Sequence, residues 1–103
     1  MSSKSICILQ SEWFIASKSL YTENKYTRLY HAIILDALSN PPNGETEKHH
    51  IIPRCMGGHN RKSNIATLSI KQHRICHKLL LKMLAENTRP KIKRYLRVAL
   101  NRF

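Results

Sequence analysis

Two histidine groups constrain this chain more than any other feature: His49-His50, directly ahead of Ile51-Ile52-Pro53, and His73 with His77. The second pair is four residues apart, a spacing that stacks both side chains on one helical face. Imidazole is the commonest neutral metal ligand and the side chain best suited to moving protons near neutral pH. On their own, His73 and His77 read equally well as histidines beside a leucine-rich core face. A third histidine on an upstream strand, with a hairpin returning to this helix, favours a metal held by three imidazoles. A fourth is then left over for acid–base work.

The residue patterns supply that order of elements. Thr46 to Ile52 reads as a strand closed by Pro53, and Cys55 to Lys62 as a polar, glycine-containing loop. Asn64 to Leu68 returns as a second short strand. Ser69 and Gln72 have capping-box spacing and open a helix that carries His73 near its start and continues to Leu84. Asn87-Thr88-Arg89-Pro90 interrupts it, and a last helix from Pro90 turns Ile92, Leu96, Ala99, Leu100 and Phe103 to one side. Upstream, Leu29, Tyr30, Ile33, Ile34, Ala37 and Leu38 recur at helical intervals within Tyr26 to Ser39, which Asn40-Pro41-Pro42-Asn43-Gly44 terminates. At the start of the chain the expectation is a short strand at Ile6-Cys7-Ile8-Leu9, then a peripheral helix packed through Trp13. His31 and His59 read as surface or turn residues. The fold class expected is α+β.

Charge identifies a class of partner. Residues 1–47 carry four Lys/Arg and five Asp/Glu, a net of −1; residues 48–103 carry fourteen Lys/Arg against Glu86 alone, a net of +13. Together these make the +12 of the whole chain, and so uneven a distribution points to a polyanion, most simply nucleic acid. The blander reading of the same charge is a solvated basic face. Three cysteines, Cys7, Cys55 and Cys76, form neither a disulfide framework nor a Cys-x-x-Cys metal site. That usage fits a reducing cytosol, and no signal peptide or long apolar run points to secretion or a membrane.

The run His49-His50-Ile51-Ile52-Pro53-Arg54, then Gly57-Gly58, Ser63-Asn64-Ile65, Leu68 and His73-Arg74-Ile75-Cys76-His77, resembles the HNH nuclease motif on a ββα-metal core (the His-Me finger). It is most similar to phage-encoded HNH homing-endonuclease-like proteins. The resemblance implies that His49, His73 and His77 bind the metal, that His50 is the general base and that Asn64 ties the loop and orients that base. Adjacent residues on a strand point to opposite faces, which suits one ligand and one base better than two ligands. It also implies phosphodiester hydrolysis leaving a 5′-phosphate and a 3′-hydroxyl, by a phage-encoded protein in the cytoplasm of a bacterial host.

Many family members have aspartate where this chain has His49. Histidine there moves the preference of the single divalent ion toward Zn²⁺, Ni²⁺ or Mn²⁺ and away from Mg²⁺. Arg54, Arg61, Lys62, Lys71, Arg74 and Lys78 surround the motif as candidate phosphate contacts for double-stranded DNA. Homing relatives carry a further DNA-recognition module after the core. The 103 residues leave no room for one, so weak site selection is the expectation. Residues 1–103 then form one nuclease domain: an N-terminal helical part (1–44), the ββα-metal core (45–87) and a C-terminal basic helix (88–103). The rival reading is a non-catalytic DNA-binding protein whose histidines hold a structural zinc, a role that would not require His50.

Overall fold

The computed structural model of the chain describes residues 11–103. The strand expected at Ile6-Cys7-Ile8-Leu9 lies outside them. Helix α1 (Glu12–Leu20) buries Trp13 and Ser17 one turn apart, and the Ser17 hydroxyl donates to the Trp13 carbonyl at 2.7 Å. Helix α2 (Lys25–Ser39) begins at Asn24, whose side-chain oxygen accepts from the backbone N–H groups of Tyr26 and Thr27. Such a cap satisfies donors that have no partner in the first helical turn.

The buried stripe of α2 is narrower than its sequence suggests. Thr27, Tyr30, Ile34 and Ala37 are buried, whereas Leu29 and Leu38 remain 49% and 43% exposed. The α3 and β2 elements cover its buried stripe, and the outer edges of the apolar arc stay in water.

Strands β1 (Thr46–His50) and β2 (Ile65–Ser69) form a two-stranded antiparallel sheet. The register pairs Glu47 with Leu68 and His49 with Ala66. Those four residues share one face because strand side chains alternate. Ala66 and Leu68 are fully buried there, and the small Ala66 side chain leaves room for the buried His49 ring. Strand β1 stops two residues short of the expected Ile52. Ile51 N–H still donates to the Asn64 carbonyl, but Ile52 N–H is taken by the Asn64 side chain and the ladder ends. Asn64 itself closes a short 3₁₀ turn (Lys62–Asn64) instead of opening the second strand.

Helix α3 (Ile70–Met83) follows β2 with no intervening loop. The capping box is complete: Ser69 Oγ accepts from Gln72 N–H, and Gln72 Oε1 accepts from Ser69 N–H. Cys76, Leu79, Leu80 and Met83 pack inward, with Tyr30, Ile34, Ile51 and Leu68 among their core partners. Helix α4 (Pro90–Leu100) has proline at its first position, where a missing N–H costs nothing. It rests on α3 through Leu96, with Ile92 partly buried, while Tyr95 and Val98 are exposed. The architecture is α+β with a small ββα core. No helix among the described residues is long and apolar enough to cross a membrane.

Candidate metal centre

Strand β1 delivers His49 and helix α3 delivers His73 and His77 to one point. One nitrogen from each ring can be chosen so that all three lie within 4.8 Å of one another. His73 Nε2 and His77 Nε2 are 3.2 Å apart. Two ligands of a tetrahedral Zn²⁺ with ordinary zinc–nitrogen bonds are about 3.3 Å apart, so the spacing suits a shared ion. Burial pushes the His49 imidazole well below its ordinary value of 6.5 and the His77 imidazole down to about 4, with neighbouring histidines adding to both shifts. Both rings are therefore neutral at pH 7, the state in which imidazole binds a metal. The three imidazoles form a donor set that could hold a metal ion.

The supporting contacts come from other elements. The Tyr30 hydroxyl lies 2.7 Å from His49 Nε2 and donates to the Ile51 carbonyl at 2.6 Å. Glu47, two residues before His49 and on the same strand face, meets His73 Nδ1 at 2.9 Å. His77 Nδ1 is buried with no hydrogen-bond partner among the described residues. The Phe103 ring stands edge-on to His73, with centroids 4.9 Å apart, and tilted to His77 at 5.3 Å.

His50 sits at the end of β1, half-buried, and is not one of the three converging rings. Its Nε2–H donates to Asn60 Oδ1 at 2.7 Å, which leaves Nδ1 with the lone pair. The Asn64 side chain makes no hydrogen bond to His50. Its buried amide accepts from Ile52 N–H and donates to the carbonyls of Ile52 and His59. These bonds clamp the backbone just after His50 and just before Asn60, so Asn64 acts on that pair through the chain, and Asn60 makes the direct contact. Gly58 fits against the clamp, because a Cβ there would run into the Ile52 carbonyl oxygen and come within 2.8 Å of Asn64 Nδ2. Gly57 beside it has φ +95°, in the left-handed region that favours glycine.

A cleft of about 400 Å³ opens over these groups, lined by His49, His50, His73 and His77 on one side and by Tyr95, Leu96, Ala99 and Arg102 of the C-terminal segment on the other. Lys48 and Arg54 also line it. Of the six candidate phosphate contacts, Arg54 alone lines this cleft. Arg61, Lys62, Lys71, Arg74 and Lys78 are exposed outside it, with Lys71, Arg74 and Lys78 at helical spacing on α3. Arg61 lies 3.6 Å from Glu12, which also meets His59 at 2.9 Å. The hydrogen bond from His59, and then the charge of Arg61, hold the Glu12 carboxyl below the usual range.

A larger hollow of about 580 Å³ between α1 and α2 contains none of the converging histidines. Size alone therefore does not mark the site. His31 lines that hollow, half-buried against Trp13 and Phe14, with burial lowering its pKa. Sequence reasoning missed Tyr30, Asn60, Tyr95 and Arg102, none of which has a telling local spacing. Glu47 did carry a signal, since strand period two puts it on the face of His49.

Over 59 residues, 56% of its length, the chain is 42% identical to a protein of Enterobacteria phage T4 named probable mobile endonuclease E. Two other proteins of that phage, named probable mobile endonucleases D and B, are 41% identical over 63 residues and 53% identical over 38. The chain is similar to phage mobile endonucleases. The alignments cover 56% and 37% of this chain for D and B, but only 42%, 24% and 14% of proteins E, D and B. The chain thus spans less than half the length of these curated relatives. No family model and no solved structure matches it.

Proposed function

We propose that this chain is an HNH-type, metal-dependent endonuclease acting on double-stranded DNA, with His49, His73 and His77 as the metal ligands and His50 as the general base. The observation that carries the reading is the convergence of three imidazoles, two of them held neutral by burial, beside a fourth in a cleft lined with cations. The likeness to proteins named mobile endonucleases supports the reaction class.

A divalent ion held by His49, His73 and His77 would supply Lewis acidity for phosphodiester hydrolysis. His50 takes a proton from the attacking water at Nδ1, since its Nε2–H is engaged by Asn60. Asn64 keeps the loop that carries Asn60 at a fixed height relative to His50. Arg54, Lys48 and Arg102 balance phosphate charge within the cleft. Arg61, Lys62, Lys71, Arg74 and Lys78 hold flanking phosphates, positioning the duplex without reading its sequence.

The deciding experiment incubates the purified chain with supercoiled plasmid and a panel of Zn²⁺, Ni²⁺, Mn²⁺ and Mg²⁺, with a chelator control. Metal-dependent conversion to nicked or linear plasmid is the expected result. Metal binding without cleavage under every ion would return the site to the rival reading, a structural zinc in a DNA-binding protein.

A further inference from the structure

The two hydrogen-bonded partners of the histidine cluster have different proton inventories, and those inventories determine which ring nitrogens are free. A phenol has one proton to give. The Tyr30 hydroxyl spends it on the Ile51 carbonyl, which can only accept. The same oxygen lies 2.7 Å from His49 Nε2, and its remaining capacity is as an acceptor. His49 must then be the donor, protonated at Nε2 with its lone pair at Nδ1.

The second partner gives the same kind of answer. An ionised carboxylate accepts and never donates. Glu47 Oε1 therefore takes its hydrogen bond from Nδ1–H of His73, leaving the lone pair of His73 on Nε2, the nitrogen that faces His77. His77 has no such restraint, because its Nδ1 has no hydrogen-bond partner among the described residues.

We infer that Tyr30 and Glu47 are positioning residues for the metal ligands, fixing the ring tautomers so that His49 meets a divalent ion through Nδ1 and His73 through Nε2. This rests on the three-histidine metal site proposed above, and it assigns the ligating atoms and two residues that set them. Tyr30 comes from α2, outside the strand–loop–helix motif, so that helix takes part in shaping the centre. Partners of this kind orient a ligand ring and raise its basicity, and losing one typically weakens metal binding by about 10- to 100-fold.

The test is long-range proton–nitrogen correlation spectroscopy on the full chain with ¹⁵N-labelled histidine, metal-free and after zinc titration, at a pH where the rings are neutral. The metal-free wild type is expected to show His49 protonated at Nε2 and His73 at Nδ1. Zinc should then shift Nδ1 of His49 and Nε2 of His73. Tyr30→Phe should let His49 sample both tautomers and weaken zinc affinity by about 10- to 100-fold in a competition assay. Glu47→Ala should weaken it too, while Glu47→Gln, which keeps an acceptor oxygen, should recover most of the loss. Coordination of zinc through Nε2 of His49, or a metal-free His49 protonated at Nδ1, overturns the inference even if no variant folds. A chain that binds none of Zn²⁺, Ni²⁺, Mn²⁺ and Mg²⁺ overturns the metal-site reading itself, an outcome distinct from either of those.

Discussion

At the scale of single residues, neighbouring histidines divide their roles through the strand they share. His49 is 2% exposed and faces the helix, whereas His50 ends the strand half-buried with one nitrogen on Asn60. The division predicts opposite behaviour for two adjacent substitutions. His50→Ala should retain the fold, the metal and DNA affinity, yet lose cleavage by roughly 10²–10⁴-fold, as expected for a removed general base. His49→Ala should lose metal and cleavage together. Plasmid-cleavage rates and metal content by native mass spectrometry, taken on the same preparations, distinguish the two. A wild-type rate in His50→Ala would remove that residue from the chemistry.

At the scale of elements, the Asn64 side chain ties together the two ends of the loop between β1 and β2. The Asn64 amide satisfies three backbone groups, from Ile52 and His59, and Gly58 packs where any side chain would strike that clamp. Asn64→Ala leaves those groups without their partner, at about 1–3 kcal/mol for each one that stays buried. Gly58→Ala should cost roughly 1–3 kcal/mol through overpacking, with a fall of several degrees in melting temperature. Both variants should slow cleavage by displacing His50 relative to Asn60, even though neither residue lines the cleft. Thermal melts and cleavage assays on the two variants check this. An unchanged melting temperature in Gly58→Ala would mean that the loop has space the structure does not show.

At the scale of the whole molecule, charge and buried imidazoles set how solution conditions act. If about six phosphate contacts form on the basic half, affinity for duplex DNA should fall roughly 10³-fold between 50 and 200 mM salt. Titrations of unrelated duplexes over a salt series measure that slope, and a flat response would separate the cations from binding. The pH response of stability has a definite sign. His31, His49 and His77 all sit below their ordinary value of 6.5 in the fold, so the unfolded chain takes up protons first as pH falls. Stability of the metal-free chain should therefore hold above pH 6.5 and decline from there toward about 4, where His77 itself becomes protonated. Urea unfolding at stepped pH with a chelator present reads it. His77→Gln should show a shallower decline, and equal slopes in both proteins would contradict the assignment.

The order of elements was legible in the sequence because it rests on local chemistry. The Ser69–Gln72 capping box, the prolines after α2 and at the start of α4, and the apolar spacing of α3 each act within a few residues. The four-residue spacing of His73 and His77 brings those rings together on any helix, while His49 as their third, in place of His50, was implied by the family resemblance. The width of the buried stripe on α2 was not legible, since it depends on how many neighbours cover the helix, and Leu29 and Leu38 found none. The partners of the site were equally hidden. Tyr30 reaches His49 from another helix, Asn60 reaches His50 across a loop, and Arg102 reaches the cleft from beyond the last helix. Contacts of that kind have no sequence period, because they exist only once separate elements have packed, and they decide which nitrogen of each ring is free to react.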